Sequence, residues 1–260
     1  MLDINAYVGN WPFKRVKFNT CEALKNRMDQ FGVDLSVVSN LNGIFYKNTQ
    51  QANEELYSEI QSKMAFQDRF IPFAVINPIY AGWKYDINKC VNNMGMKGIR
   101  LYPKYHDYEL SDPACVEAVK YARDHDLPVA FSFRMVDSRQ RSWIDIETEW
   151  DLKDIVPIIR EVPDAKYIFL NLANSVKLND EEERILKSAD MVIDTSGRSV
   201  NEFPELLDRF GATKFAFGSH SPILDYLTGL LRIESLNKAE ADEGSKGLIR
   251  SGNAMKILGI

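Results

Sequence analysis

One histidine of this chain combines a reactive side chain with a position at the end of a predicted strand. His220 lies in the segment Gly218-Ser219-His220-Ser221-Pro222, directly after the strand-like run Lys214-Phe215-Ala216-Phe217. An imidazole titrates near neutral pH, so it can take a proton from water as a general base. Because the flanking glycine and proline leave His220 no helix face on which to pack, we predict a functional role for it.

Polar side chains of several other types also end predicted strands, and together they suit hydrolysis of a small anionic ester or lactone. Asp194 would orient His220, which would act as the general base. Either Arg100 or Arg134 would bind a substrate carboxylate through its two-pronged guanidinium, and the other cation or Tyr102 would stabilise the oxyanion. Further substrate contacts are predicted for Asn5, Ser132, Asn171 and His106.

Each of these side chains also has a structural explanation. Asp3 and Arg100 could form a buried ion pair that only satisfies its own charges, and Asp194 is the other carboxylate able to pair with this arginine. Three small polar residues could simply hydrogen bond to one another inside the fold: Asn5, Ser132 and Asn171. His106, in the loop from Lys104 to Tyr108, could face the site, whereas His125, at a helix end, is predicted at the surface.

Eight strand-like segments alternate with amphipathic helical segments, the pattern of parallel strands joined by crossover helices. The predicted strands are residues 2–8, 33–40, 70–77, 96–102, 128–134, 166–172, 190–196 and 214–220. Eight units in 260 residues give about 32 residues each, close to the ~250-residue norm of (β/α)8 barrels. No Gly-x-Gly-x-x-Gly segment supports the rival Rossmann sheet. We therefore predict one domain, residues 1–260, with the α/β fold of a (β/α)8 TIM barrel.

In such a barrel the active site lies at the carboxyl ends of the strands, where inward-facing side chains converge. Side chains alternate between the two faces of a strand. On the first strand this alternation predicts that the polar side chains face the barrel interior, namely Asp3, Asn5 and Tyr7. The apolar side chains on the other face, Leu2, Ile4 and Ala6, are predicted to point outward.

Composition and charge exclude several classes of function. Lysine and arginine number 32 against 37 aspartates and glutamates, and neither sign forms a block suited to nucleic acid or an anionic membrane. No apolar run reaches the ~18 residues of a membrane span, and the chain starts directly with a strand-like segment, so we expect a cytoplasmic protein. Cys21, Cys90 and Cys115 are too scattered for a disulfide framework or a zinc cluster. The predicted partner is a small anionic molecule, and homo-oligomerisation stays open.

Several segments resemble the amidohydrolase-related (amidohydrolase 2) family of metal-dependent TIM-barrel hydrolases, and their order matches over nearly the whole chain. They are D-I-N (3–5) followed by G-N-W-P-F (9–13), G-M-K-G-I-R-L-Y-P (95–103), D-T-S-G (194–197), G-S-H-S-P (218–222) and G-N-A (252–254). The resemblance implies metal ligands at a His-x-His pair on strand one, at histidines on strands five and six, and at an aspartate on strand eight. In this chain those positions hold Asn5, Tyr7, Ser132, Asn171 and His220.

None of these five positions keeps the residue type that the family uses there. Neutral amide, hydroxyl and phenol groups are poor zinc ligands, so no metal cofactor is predicted and hydrolysis would be metal-independent, as in related lactonases that dispense with metal. Two alternatives stay open. The barrel could bind a sugar-acid-like molecule without catalysis, or it could hold a metal through other residues, for example Asp3, Asp194 and His220.

Overall fold

Eight parallel strands form the centre of the computed structural model, which describes residues 1–135, 150–172, 177–196 and 202–260. They are β1 (Leu2–Val8), β2 (Leu35–Asn40), β3 (two segments, Phe70–Pro72 and Ala74–Val75), β4 (Ile99–Leu101), β5 (Val129–Ser132), β6 (Tyr167–Leu170), β7 (Met191–Asp194) and β8 (Phe215–Ala216). All eight predicted strands are confirmed. Most are shorter than predicted, because the ladder of backbone hydrogen bonds covers only the central part of each apolar run.

The strands pair in parallel in chain order, and the first segment of β3 joins β2 while its second segment joins β4. Backbone hydrogen bonds also link β1 to the segment that follows β8. The amide of Ile4 donates to the carbonyl of Phe217 at 2.8 Å, and the amide of Tyr7 donates to the carbonyl of Ser221 at 2.8 Å. These bonds close the ring, so the fold is a (β/α)8 barrel, as predicted.

Helices surround the barrel and connect its strands. They are α1 (Cys21–Phe31), α2 (Thr49–Gln61), α3 (Met64–Gln67), α4 (Trp83–Met94), α5 (Pro113–Asp124), α6 (Val156–Glu161), α7 (Asp180–Ser188), α8 (Phe203–Phe210), α9 (Tyr226–Glu234), α10 (Glu243–Gly247) and α11 (Asn253–Leu258). A short 3₁₀ helix, Leu41–Ile44, follows β2. Within these described ranges, no helix is both long and apolar enough to cross a membrane.

The barrel interior is apolar towards the amino ends of the strands and polar towards their carboxyl ends. Its apolar part is a buried cluster to which nearly every strand contributes: Leu2, Ile4, Val37, Phe73, Ala130, Ile168, Leu170, Val192 and Ala216. Ala254 and Ile257 of α11 pack against this cluster. The closed apolar end places any chemistry at the opposite, carboxyl-end mouth.

A β-bulge in β1 decides which of its side chains reach that mouth. Asp3 pairs with Ser36 and Ala6 pairs with Val38, so three residue steps along β1 lie opposite two residue steps along β2. One extra residue reverses the alternation of side chains beyond it. Before the bulge, Leu2 and Ile4 point into the barrel; beyond it, Asn5 and Tyr7 do.

The bulge corrects the predicted inward polar set. Ile4 belongs to the interior cluster, and the Asp3 carboxylate binds the backbone amide of Ser219 at 2.9 Å and its hydroxyl at 2.5 Å. Asp3 therefore anchors the segment after β8 and accepts from the backbone amide of Asn5 at 3.0 Å, and its carboxylate does not join the Asn5 and Tyr7 side chains around Arg100. Its burial raises the pKa of the Asp3 carboxyl, although the hydrogen bonds from Ser219 act against this rise.

Candidate functional site

A fully buried arginine on β4 lies at the centre of the mouth. Arg100 Nε donates to Ser132 Oγ at 2.9 Å, and its Nη1 donates to the carbonyl of Ala6 at 3.2 Å. Its Nη2 donates to the hydroxyl of Tyr7 at 2.8 Å and to Asn5 Oδ1. The guanidinium carbon also lies 4.0 Å from the centre of the Tyr7 ring, a cation–π distance. Four oxygen acceptors and an aromatic face thus hold one cation.

The acceptors around Arg100 are neutral, which corrects the predicted ion pair with Asp3 or Asp194. None of the ion pairs found in the described residues involves Arg100. Instead, the Asn5 side chain connects the charges: its Oδ1 accepts from Arg100, and its Nδ2 donates to Asp194 Oδ2 at 2.7 Å. The amide orientation is fixed by these neighbours, because a guanidinium only donates and a carboxylate only accepts.

Asp194, at the end of β7, is buried with both carboxylate oxygens hydrogen bonded. Its Oδ1 accepts from the backbone amide of Asn171 at 2.8 Å, and its Oδ2 accepts from Asn5 and from the hydroxyl of Ser196. Gly218 is what allows this approach. A Cβ at position 218 would lie 2.8 Å from the Asp194 side chain and 3.1 Å from Asn5 Cβ.

His220 is almost fully buried, and both of its ring nitrogens are engaged. Nε2 lies 2.9 Å from the carbonyl of Met135, which can only accept, so Nε2 carries a proton. Nδ1 lies 2.7 Å from Asn171 Nδ2 and 3.2 Å from Asn5 Nδ2, and it accepts from these amides. The contacts assign a neutral Nε2–H tautomer. His220 and Asn171 share the left-handed backbone conformation (φ 57° in both) that brings their side chains together.

The predicted triad-like relation between Asp194 and His220 is indirect. Asp194 reaches the imidazole through the amide groups of Asn5 and Asn171, each of which contacts both residues. Sequence reasoning gave no role to Ser196, whose hydroxyl accepts from Asn171 Nδ2 at 3.1 Å. It also gave none to the Met135 carbonyl. Ser196 lies two residues after Asp194 on the seventh predicted strand, so the alternation of side chains already indicates that it faces the mouth. A backbone carbonyl is present at every residue, so the sequence gives no sign that the Met135 carbonyl has a role.

Tyr102 and His106 follow the carboxyl end of β4, beyond Arg100. Tyr102, two residues after Arg100, is fully buried, and its hydroxyl makes no hydrogen bond in the described parts of the chain, although Ser132 lies near enough to oppose the rise in its pKa. His106 Nε2 donates to the carbonyl of Gly43 at 3.2 Å, while its buried Nδ1 has no such partner there. Burial raises the pKa of Tyr102 and lowers that of His106 to about 4, so both side chains are neutral at neutral pH.

The last predicted site residue, Arg134, is buried two residues beyond Ser132 and directly precedes Met135. The structure thus places all nine predicted site residues at the carboxyl ends of the strands or in the loops that follow. Asn5, Arg100, Ser132, Asn171, Asp194 and His220 form one hydrogen-bonded network.

Apolar side chains surround this polar network at the mouth. They form one buried cluster: Tyr7, Trp11, Leu41, Ile44, Val75, Tyr102 and Met135. Most of them follow the ends of the first five strands. A site enclosed in this way has a low effective dielectric constant, which strengthens the influence of a buried cation on a bound anion.

The amidohydrolase family model matches residues 26–260. This chain belongs to the amidohydrolase family. Solved structures share its fold: a dihydroxybenzoic acid decarboxylase from a Polaromonas species with bound manganese and 2-nitroresorcinol has 13% identity and a TM-score of 0.75, with 99% of this chain and 96% of that chain covered. A putative amidohydrolase from Staphylococcus aureus has 17% identity and a TM-score of 0.72, with 100% of both chains covered.

A probable 2-pyrone-4,6-dicarboxylic acid hydrolase from Acinetobacter baumannii, with citric acid bound, has 14% identity and a TM-score of 0.69, covering 100% of this chain and 99% of that chain. No curated protein sequence matches this amidohydrolase-family chain. The neighbours are enzymes of at least two kinds, decarboxylases and hydrolases. At these identities they establish the fold.

The side chains at the family's metal-ligand positions do not fit a metal ion. Three of them, Asn5, Tyr7 and Ser132, instead accept hydrogen bonds from Arg100. A divalent cation among them would meet neutral oxygens and the repulsion of a permanent positive charge.

The non-standard ligand set of Asp3, Asp194 and His220 does not converge either. The bulge directs Asp3 to Ser219, and amide groups separate Asp194 from His220. No group of three or more histidine, cysteine, aspartate or glutamate side chains in the described residues could hold a metal.

Proposed function

We propose that this amidohydrolase-family barrel hydrolyses a small anionic ester or lactone without a catalytic metal, and that Arg100 supplies the positive charge of the site. The observation that carries the proposal is the contact of one buried guanidinium with three metal-ligand positions, Asn5, Tyr7 and Ser132. A guanidinium keeps its charge at every accessible pH. A fixed cation in a mouth enclosed by apolar side chains favours the negative charge of a bound carboxylate and of an oxyanion formed from the ester.

Arginine cannot replace every function of a metal ion. A metal lowers the pKa of bound water, whereas a guanidinium does not, so a protein base must activate the water. In the hydrolysis the water oxygen bonds to the acyl carbon, the acyl C–O bond breaks, and one water proton passes through the base to the departing alkoxide. His220 is the proposed base, Arg134 the proposed carboxylate anchor and Arg100 the cation that stabilises the oxyanion.

The hydrogen bonds of His220 set a condition on this mechanism. The ring nitrogen with a lone pair, Nδ1, faces the amide groups of Asn171 and Asn5, so these must turn away before water can reach it. This observation favours a second candidate function, a ligand-binding barrel without catalysis. In that case the same network would only shape the pocket for a sugar-acid-like molecule.

Turnover and binding by protein stripped of metal distinguish the two functions. A panel of small lactones and esters bearing a carboxylate is assayed with wild type in the presence of a chelator. Under the hydrolase proposal, His220→Ala abolishes turnover with little loss of binding, and Arg134→Ala mainly weakens binding. His125→Ala is the matched control, because His125 is an exposed histidine at the end of α5 whose Nδ1 contacts the carbonyl of Tyr121.

Each outcome of this assay has a definite meaning. Full activity of both His220→Ala and Arg134→Ala would refute the assigned roles. Tight carboxylate binding by wild type without turnover of any ester or lactone would favour the ligand-binding barrel. Activity that appears only after addition of stoichiometric zinc or manganese would refute the metal-free mechanism.

A further inference from the structure

Two buried polar atoms at the mouth lack hydrogen-bond partners within the described residues, and both belong to one pair of touching rings. The Tyr102 hydroxyl and His106 Nδ1 are the atoms concerned. The two rings pack edge to face with their centres 5.8 Å apart. A buried polar atom without a partner costs folding free energy, so such atoms in a native protein call for an explanation.

The backbone and one ring nitrogen hold His106 firmly while Nδ1 stays unused. The backbone amide of His106 donates to the carbonyl of Tyr102 at 2.9 Å, and its Nε2 donates to the carbonyl of Gly43 at 3.2 Å. Because Nε2 carries the proton, Nδ1 of the neutral ring is an acceptor. The depressed pKa of His106 agrees with a ring that stays neutral.

The Tyr102 hydroxyl complements this acceptor. Tyr102 has the same inward parity as Arg100 and lies two residues further along, about 6.6 Å nearer to the mouth at the usual strand rise. Its phenol stays protonated at neutral pH, since burial raises its pKa, and it can therefore donate. The two touching rings thus offer one donor and one acceptor beyond the carboxyl end of β4.

We infer that Tyr102 and His106 recognise a hydroxyl group of the ligand. The ligand hydroxyl would donate its proton to His106 Nδ1 while its oxygen accepts from Tyr102. The substrate class is then a hydroxyl-bearing small acid, or its ester or lactone, and this deepening rests on the proposed function, which supplies the anionic group. A site built to bind a hydroxyl discriminates strongly against an analogue without one, because the analogue leaves buried polar groups unpaired.

Protein stability tests the inference without any ligand. Tyr102→Phe removes only the hydroxyl, and His106→Gln keeps a donor for Gly43 but removes the Nδ1 acceptor. If the Tyr102 hydroxyl and His106 Nδ1 bind only a ligand, their removal breaks no hydrogen bond of the free protein, and the Tm of each variant equals or exceeds that of wild type. Tyr167→Phe is the matched control, because the buried Tyr167 hydroxyl donates to the carbonyls of Val162 at 2.7 Å and Ile158 at 3.2 Å. Its Tm should fall by about 2 °C or more. Equal losses in Tyr102→Phe and Tyr167→Phe would show that the Tyr102 hydroxyl is structural.

Binding of matched acids tests the recognition itself. The probes are pairs that differ by one hydroxyl: glycolate and acetate, lactate and propionate, 3-hydroxybutyrate and butyrate, 2-hydroxybenzoate and benzoate. Calorimetric titration of wild type should show at least one pair in which the hydroxy acid binds 10-fold tighter or more. In Tyr102→Phe and His106→Gln that ratio should fall towards one, with the affinity of the deoxy acid unchanged.

The outcomes separate this inference from the proposed function. Equal binding of both members in every pair refutes hydroxyl recognition and leaves the anion site intact. Binding of no acid at all by wild type contradicts the anion site and, with it, the inference. A preserved ratio in both variants shows that other residues read the hydroxyl and overturns the assignment to Tyr102 and His106.

Discussion

Removing the Arg100 side chain should destabilise the protein in a way that an added guanidinium ion can reverse. In Arg100→Ala, the hydroxyls of Tyr7 and Ser132 can pair with each other, since they already lie 3.4 Å apart. The Asn5 Oδ1 and the Ala6 carbonyl lose the donor that Arg100 gave them. Two buried acceptors left without a donor cost roughly 1–3 kcal/mol each, and relief from burying a charge offsets part of that.

The expected net loss is about 3 kcal/mol. At about 2 °C per kcal/mol for a chain of this size, the Tm of Arg100→Ala should fall by roughly 6 °C. Guanidinium at about 10 mM, binding the vacated space with a Kd near 1 mM, would restore about 1.4 kcal/mol, or roughly 3 °C. Its denaturing effect at that concentration is below about 0.1 kcal/mol, so a rise in Tm is measurable by differential scanning fluorimetry.

Urea and a surface variant are the controls. Urea has nearly the shape of guanidinium but no charge, so it should not raise the Tm of Arg100→Ala. Arg123→Ala removes a half-buried arginine at the surface that pairs with Asp124 and Asp164, and guanidinium should not stabilise it. Equal rescue by urea would show that the space, rather than the charge, matters. An unchanged Tm in Arg100→Ala would refute the central role of the guanidinium.

Three further predictions follow from single contacts. Burial lowers the pKa of His106 from 6.5 to about 4. Between these two pH values the imidazole binds a proton in the unfolded chain but not in the native protein. The free energy of unfolding therefore falls as the pH falls from 6.5 to about 4. Urea titrations should show that the free energy of unfolding of His106→Gln falls by about 3 kcal/mol less than that of wild type over this pH range. Above about pH 6.5 the two proteins should have the same free energy of unfolding. Gly218→Ala should lower the free energy of unfolding by about 1–3 kcal/mol, because the added Cβ clashes with the Asp194 carboxylate at the end of β7. Gly247→Ala has no atom near its added Cβ and should leave the free energy of unfolding unchanged in the same titration. His220→Ala should lower the free energy of unfolding by about 2–4 kcal/mol, because the Met135 carbonyl loses the His220 N–H, two side-chain amides lose one acceptor each and the buried ring leaves a cavity. Thermal melts of the exposed His125→Ala should match wild type.

The strands and the location of the site could be predicted because both depend on local patterns. Apolar runs of strand length alternate with helical periodicity, and parallel strands bring their carboxyl ends together. On β4 the alternation of side chains also holds, so the inward direction of Arg100 follows from the sequence. The polar residues at strand ends then collect at one mouth without further information.

The partner of Arg100 could not be predicted, because it depends on a bulge that local alternation does not reveal. The extra residue in β1 arises where the strand adjusts to β2 on one side and to the segment after β8 on the other. It turns the Asp3 side chain out of the mouth, so that Asn5 and Tyr7 are the β1 side chains that contact the cation. A rule that reads one strand alone has no access to this exchange, since bulges reflect pairing across the sheet.

The chemistry of the acceptors explains why the altered ligand positions belong together. A guanidinium has five donors and no acceptor, so every neighbour within hydrogen-bond distance must offer an oxygen lone pair. An amide oxygen, a phenol and a hydroxyl do so without adding charge. Returning one position, for example Tyr7→His, would not recreate a metal site while Arg100 fills the space between the others. The arginine and its neutral acceptors form one unit, and metal chemistry could return to this barrel only if the arginine were lost together with the gain of several ligands.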